Sequence, residues 1–282
     1  MKEITSIEFN LLKDYLFKIS GIEVPPNKRY LFNTRLIKLL EEEGFKSFSG
    51  FYTNLSANND TVLQRKLVQA MTTHESSFFR DKHPYAALEK ALLPGISKQR
   101  ISEATFLAPR IRIFSAGCSL GQEPYSIAIY VKKWLAKQDV FTKNDVTILA
   151  GDISEKILTR AKRGIYTEKE IGNNFTAAVK KEFFTRHSSQ WKINDEIKQM
   201  VRFTELNLSE PFHHLGKFDI IFCRNVIIYF PIDLKRKILK QFHSQLNSGG
   251  ALIMGTSESL YNLSKDFSVQ QAFDSTYYTP NK

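Results

Sequence analysis

Beyond Pro109 short apolar runs alternate with amphipathic stretches, and this alternation constrains the fold more than any other feature of the chain. Strands are expected over residues 110–115, 146–151, 201–205, 218–223, 250–255 and 275–278. Helices are expected over residues 124–137, 154–163 and 233–246, the first with Pro124 in its opening turn. Strands that alternate with helices give a parallel, doubly wound α/β sheet, because each parallel crossover needs a connection long enough to hold a helix. Residues 172–198 break the rhythm with a helix over 176–184 and a polar, hairpin-forming piece around Trp191.

The first 90 residues show no strand-like alternation. Phe9, Leu12, Leu16 and Ile19 recur at helical spacing up to a stop at Gly21. Pro25 and Pro26 precede a helix lined by Leu31, Leu36, Leu39 and Leu40 and ended by Gly44. Short helices follow, one marked by Phe48, Phe51, Tyr52 and Leu55 and one over residues 61–71, capped from residues 58–60. The expected division is a helical domain over residues 1–90, a linker over 91–109 and an α/β domain over 110–282. Pro94, Gly95 and a polar basic stretch mark the linker.

Composition narrows the function. With 22 Phe and 11 Tyr the chain has ample material for a core, so disorder is excluded. Its apolar runs fall far short of the roughly 20 residues that span a bilayer, so no membrane insertion is expected. The first ten residues lack the apolar region of a signal peptide. Two cysteines, Cys118 and Cys223, make neither a disulfide framework nor a zinc quartet, and a cytoplasmic address follows by default. The six histidines show no zinc spacing. A net charge of +11 calls for an anionic partner, nucleic acid first. Its sharpest feature is the stretch from residue 28 to 38, where Lys28, Arg29, Arg35 and Lys38 occur without an acid before Glu41, Glu42 and Glu43.

In an open α/β sheet ligands bind at the carboxyl ends of the strands. Four segments fall there: residues 115–123, with Gly117, Gly121 and Glu123; Asp152, placed to accept from a ribose diol; Asn207 and Leu208; and Cys223, Arg224 and Asn225, followed by Tyr229. A fifth, residues 72–81, is dense in hydrogen-bonding groups and holds His74, Ser76 and Arg80.

With these segments in order, the chain resembles the CheR family, the chemotaxis protein methyltransferases that esterify receptor glutamates. The matching stretches are TTHESSFFRD (72–81), SAGCSLGQEPYSIAI (115–129), AGDISEKILTRAKRGIY (150–166), VRFTELNL (201–208) and FDIIFCRNVIIYF (218–230). The resemblance implies an N-terminal helical domain, then a Rossmann-like methyltransferase domain carrying a small antiparallel insert at about residues 172–200. It implies S-adenosylmethionine as cofactor, with S-adenosylhomocysteine as product. Carried over by position, His74, Ser76 and Arg80 approach the methionine end of the cofactor. Gly117 and Glu123 lie on the first loop, Asp152 takes the ribose hydroxyls, and Asn207 and Leu208 border the adenine. Arg224 and Asn225 lie under the sulfonium, and Arg80 and Tyr229 sit nearest the transferred methyl as catalytic residues. The partner implied is the helical, glutamate-rich cytoplasmic methylation region of membrane chemoreceptors, which replaces nucleic acid as the anion. Lys28, Arg29, Arg35 and Lys38 then become substrate-docking residues on a monomeric enzyme recruited to receptor arrays.

Two departures from the family are visible. Many relatives carry Asn where this chain has His74. Residues 185–192 lack the glycines of relatives that grip a receptor tail peptide. A nucleic-acid amino-methyltransferase is disfavoured because no proline pair follows Asn225. A non-catalytic cofactor-binding scaffold is disfavoured by the full set of motifs. Glutamate, with a reference pKa of about 4.3, is ionised at neutral pH and needs no general base to accept a methyl group.

Overall fold

The structure is a computed structural model describing residues 3–73, 75–104, 108–172 and 175–281. It divides into two compact units, Met1–His74 with Ile228–Leu234, and Glu75–Ile227 with Lys235–Lys282.

The first unit is helical: α1 (Ser6–Ser20), α2 (Tyr30–Glu42), α3 (Phe48–Asn58) and α4 (Thr61–Met71). Local chemistry sets the helix ends. Thr5 and Glu8 form a capping box at the start of α1. The second Glu8 oxygen accepts from the Ser49 N–H and hydroxyl and so ties α1 to α3. Gly21 ends α1 with φ 73°, and Asp60 caps α4 by accepting from the N–H groups of Val62 and Leu63. Phe9, Leu12, Leu16, Leu36, Leu40, Phe51 and Leu55 are buried as their spacing requires. Leu31 is only half-buried, and Phe32 takes its place in the core. The basic stretch is not a single helix, because a 3-10 turn (Pro26–Lys28) precedes α2.

In the second unit the first helical run is α5 (His83–Ala87), a π-type turn (Leu88–Leu92) and α6 (Leu93–Glu103). The expected linker over 91–109 is therefore helical to Glu103, and the break between units falls at residue 74 rather than 90. The wider turn before Pro94 accommodates a residue that has no N–H and would crowd the preceding carbonyl. Leu88, Leu92, Leu93 and Ile96 are buried in one core with Ile111 and Ile113, each worth roughly 1.5–3 kcal/mol of apolar burial. Arg100, one of the bases that made the stretch look like a linker, donates from Nε to buried Asp219 at 2.8 Å. Asp219 also accepts from Arg112 N and Asn247 Nδ2.

The strands are β1 (Ile111–Ala116), β2 (Val146–Asp152), β3 (Ile165–Tyr166), β4 (Phe184–His187), β5 (Gln190–Ile193), β6 (Val201–Glu205), β7 (Phe218–Cys223), β8 (Leu246–Met254), β9 (Phe267–Ala272) and β10 (Ser275–Pro280). The main sheet runs β6-β2-β1-β7-β8-β10-β9. The first five of these are parallel, but the β9–β10 hairpin is antiparallel, so the sheet is mixed rather than wholly parallel. β9 is absent from the strands expected by pattern because only Phe267 of its six residues is buried. Its turn is made by Phe273 and Asp274, both at positive φ, without the Asn-Gly or Asp-Gly pair that marks such hairpins.

The other helices are α7 (Gln122–Leu135), α8 (Glu155–Arg163), α9 (Glu168–Ile171), α10 (Ala177–Phe183), α11 (Asp195–Lys198) and α12 (Ile232–Gln245). The expected insert supplies β4 and β5, which join β3, from just before it, in a small antiparallel sheet β3-β5-β4. Its β4–β5 hairpin turns at Ser188 with φ 57°, a conformation that usually falls to glycine. Among the described residues no helix is long and apolar enough to cross a membrane.

Candidate active site

The parallel strands β6, β2, β1, β7 and β8 end along one edge of the sheet, so the loops that follow them are neighbours. After β1 the chain folds back onto β2, with Gly117 N and Cys118 N both donating to Gly151 O. Gly117 has φ 73°, and a Cβ there would lie 2.4 Å from Val226 Cγ2. Only glycine meets both conditions, and the loops after β1 and β7 thereby close on each other. Asp152 accepts from Ser119 N at 2.9 Å and from Ser154 N at 3.0 Å, which fixes the β1 loop to the turn after β2. Each carboxylate oxygen accepts more than one bond, so this anchoring is compatible with a ribose diol. Asn207 shapes the loop after β6 by accepting from Ser209 N and Oγ, and Leu208 beside it is buried.

Arg224 is buried, with a side chain 1 % exposed. Its Nη2 donates to Asp81 Oδ2 at 2.7 Å and to Arg80 O at 2.8 Å. Its Nη1 donates to Glu123 Oε2 at 3.2 Å and to the Tyr85 hydroxyl at 3.3 Å. The guanidinium therefore joins β7, the first turn of α7 and the turn at residues 80–81. Glu123 also accepts from Ser115 Oγ at 2.8 Å. Burial pushes its carboxyl above the usual value, and Arg224 with Ser115 only partly offsets this. Burial pushes the Tyr85 hydroxyl up as well. Asp81, which sequence reasoning did not single out, is thus part of the site's frame.

Residues 75–81 are held by their aromatic pair. Phe78 and Phe79 are buried, and Phe79 N donates to Ser126 Oγ of α7 at 3.0 Å. Phe79 and Asp81 both have positive φ, which turns the chain sharply around Arg80. The Arg80 side chain is half-buried and makes no ion pair among the described residues. With Ser77, Phe79, Asp81, Lys82, His83 and Asp274 it lines a cleft of about 560 Å³. Ser76 is half-buried one turn earlier, and His74 lies outside the described residues. Tyr229 belongs to the first unit, where it is 37 % exposed and its carbonyl accepts from Glu23 N.

Of the four expected docking cations, Arg35 is turned inward. Its Nη1 donates to Met71 O at 2.8 Å and its Nη2 to Thr73 Oγ1 at 3.1 Å, closing the end of α4. Arg29 donates to Ser6 Oγ. Lys38 is highly exposed, with Glu42 at 3.8 Å, and Lys28 is exposed. Cys118 and Cys223 are free and buried, and burial pushes both thiols well up, which fits them as packing groups. Among the described residues no cluster of His, Cys, Asp or Glu is arranged to hold a metal ion.

Asn225 follows Arg224 at φ 60°, with its N–H and that of Val226 bound to the Glu258 carboxylate. Among the described residues Asn225 Oδ1 and Ser119 Oγ are buried without a partner. Unpaired buried polar atoms are rare, and here they stand on strand-end loops that glycine keeps thin, which suits a polar small molecule laid against the backbone. Glu258 is a second residue that sequence reasoning missed. Its only signal is its place just beyond β8.

Residues 7–72 match the family described as CheR methyltransferase, all-alpha domain, and residues 74–275 match CheR methyltransferase, SAM binding domain. The chain is 36% identical to Chemotaxis protein methyltransferase 1 of Pseudomonas aeruginosa over 272 residues, covering 96% of this chain and 97% of that one. It is 34% identical to Chemotaxis protein methyltransferase Cher2 of Pseudomonas putida over 274 residues, covering 97% and 98%. It is 37% identical to a chemotaxis protein methyltransferase of Vibrio anguillarum, covering 94% and 93%. With both of its parts matched by family models and relatives matched over nearly its full length, the chain belongs to the CheR family of S-adenosylmethionine-dependent methyltransferases.

Proposed function

We propose that this enzyme methylates glutamate side chains in the cytoplasmic helices of chemotaxis receptors, forming the methyl esters used in sensory adaptation. The observation that carries the reading is how Asp81, Glu123 and Glu258 are engaged. Asp81 and Glu123 bind Arg224, and Glu258 binds backbone N–H groups. None of them is placed as a general base, and a glutamate substrate, ionised above a pKa of about 4.3, needs none. S-adenosylmethionine supplies an electrophilic methyl on its sulfonium when bound. The residues that would hold it are Ser76, Gly117, Glu123, Asp152, Asn207, Leu208 and Asn225, together with His74. Arg224 serves this group from behind, by fixing Glu123 and the turn at residues 80–81.

The chain's own task is alignment of the carboxylate oxygen with methyl and sulfur, an effect that can supply roughly 7–11 kcal/mol. Arg80 orients the carboxylate from the rim of its cleft, and Tyr229 positions the incoming glutamate through its hydroxyl. The helical unit docks the acidic receptor helix, with Lys28 and Lys38 as the exposed cations and Arg29 beside them. The enzyme acts as a monomer recruited to receptor arrays.

The test incubates the enzyme with methyl-labelled S-adenosylmethionine and receptor-containing membranes. Base-labile label on a receptor is expected, and it should fall sharply for Arg80→Ala. Label on nucleic acid, or cofactor binding without transfer, would overturn the reading. Wild-type transfer by Arg80→Ala would remove Arg80 from the mechanism.

A further inference from the structure

Glu258 lies in the turn beyond β8 and is 8 % exposed. A buried carboxylate is unfavourable unless its acceptors are filled. Here they are filled by backbone alone: Oε2 accepts from Asn225 N at 2.6 Å and Gly255 N at 2.9 Å, and Oε1 accepts from Val226 N at 3.1 Å. Among the described residues no cation pairs with it. One side chain thus holds the ends of β7 and β8, adjacent strands of the sheet. Gly255 belongs to the same device, since a Cβ there would lie 2.7 Å from Glu258 Oε2 and 3.0 Å from Asn225 N.

The held loop takes a left-handed turn. Asn225 has φ 60°, a region that most L residues avoid and asparagine tolerates. Glu258 binds the N–H of Asn225 and the N–H that follows it, and so grips the left-handed residue from both sides. The same geometry presses Val226 onto Gly117 and leaves Asn225 Oδ1 buried without a partner among the described residues.

We propose that Glu258 is a positioning residue of the cofactor site: its carboxylate locks Asn225 in the left-handed turn and so aims the Asn225 amide at bound S-adenosylmethionine. This rests on the reading of Asn225 as a cofactor contact. It predicts that Glu258 and Asn225 act on cofactor affinity as one unit, which a merely structural carboxylate would not do.

The test is a double-mutant cycle on the full chain. Binding of S-adenosylhomocysteine is measured by titration calorimetry for wild type, Glu258→Gln, Asn225→Ala and the double variant, with thermal unfolding alongside. Glutamine keeps the size but replaces one acceptor oxygen by an NH₂ that cannot accept from an N–H. Each single variant is expected to weaken binding by about tenfold. The double variant is expected to be within about twofold of the weaker single. If Asn225→Ala weakens binding and Glu258→Gln does not, Glu258 positions nothing that binding needs. If the two effects multiply, Glu258 does not act through Asn225. Unchanged binding by Asn225→Ala would overturn the Asn225 reading itself, and the proposal with it. Should Glu258→Gln not fold, Glu258→Asp enters the same cycle, since it keeps both acceptors on a shorter arm, and the same outcomes decide.

Discussion

Replacing Arg224 by Met leaves a side chain of similar length without the charge that faces Asp81 and Glu123. The wild-type guanidinium bonds both carboxylates, one carbonyl and one hydroxyl, at 2.7–3.3 Å. Removing one partner of a buried ion pair costs about 3–5 kcal/mol. For a unit of this size each kcal/mol moves Tm by about 2–4 °C, so the loss at pH 8 should be about 6–20 °C. The loss should also depend on pH. Burial already holds the Glu123 carboxyl above its ordinary value of 4.5, and without Arg224 it rises further. A carboxyl with a raised folded-state value favours the fold below its unfolded value and loses that contribution as pH rises through the folded value. The gap between wild type and Arg224→Met should therefore be small near pH 4.5 and widen toward pH 8. Thermal unfolding followed by circular dichroism across this range measures it. A gap that is the same at both ends, or a loss below about 1 kcal/mol at pH 8, would mean that water reaches the two carboxylates and that Arg224 does not frame the site.

Gly117→Ala should destabilise the second unit, because left-handed φ costs a residue with a Cβ about 1–2 kcal/mol and the new methyl also meets Val226. Adding Val226→Ala should recover the steric part but not the φ part in the same melts. Full recovery would show that φ at residue 117 is unimportant. Arg35→Ala should cost about 1–3 kcal/mol of helical-unit stability at any salt concentration, since it empties two bonds at the end of α4. Lys38→Glu, on an exposed side chain, should leave stability within about 0.5 kcal/mol. It should nevertheless slow receptor methylation at low salt, an effect that fades as salt screens the charge. A salt-independent Lys38→Glu defect would remove the docking role.

Local pattern was enough for much of this architecture. Period-2 and period-3.6 burial are properties of neighbouring residues, so β2, β6, β7, α7 and α8 lie within a residue or two of where spacing predicts them. Caps are local too, and Thr5, Asp60 and Ser154 act within three residues of themselves. β9 and α6 escaped the same reasoning for opposite reasons. β9 has almost no buried face to betray it, and the polar surface of α6 hides a base whose partner, Asp219, lies far along the chain.

The sequence by itself determined the two-part organisation and, through its motifs, the cofactor class. Tertiary structure alone decided which charges pair across the fold and which face solvent. Arg224 meets Asp81 across 143 residues of chain, Glu258 reaches Asn225 across 33, and Arg35 reaches Thr73 across 38. A charge in the sequence carries no record of whether it will face water or a buried partner. That choice is made when distant segments pack and desolvation makes each unpaired group costly. It is why the basic stretch, read as four docking cations, folds with Arg35 turned inward and Lys28 and Lys38 exposed at the surface.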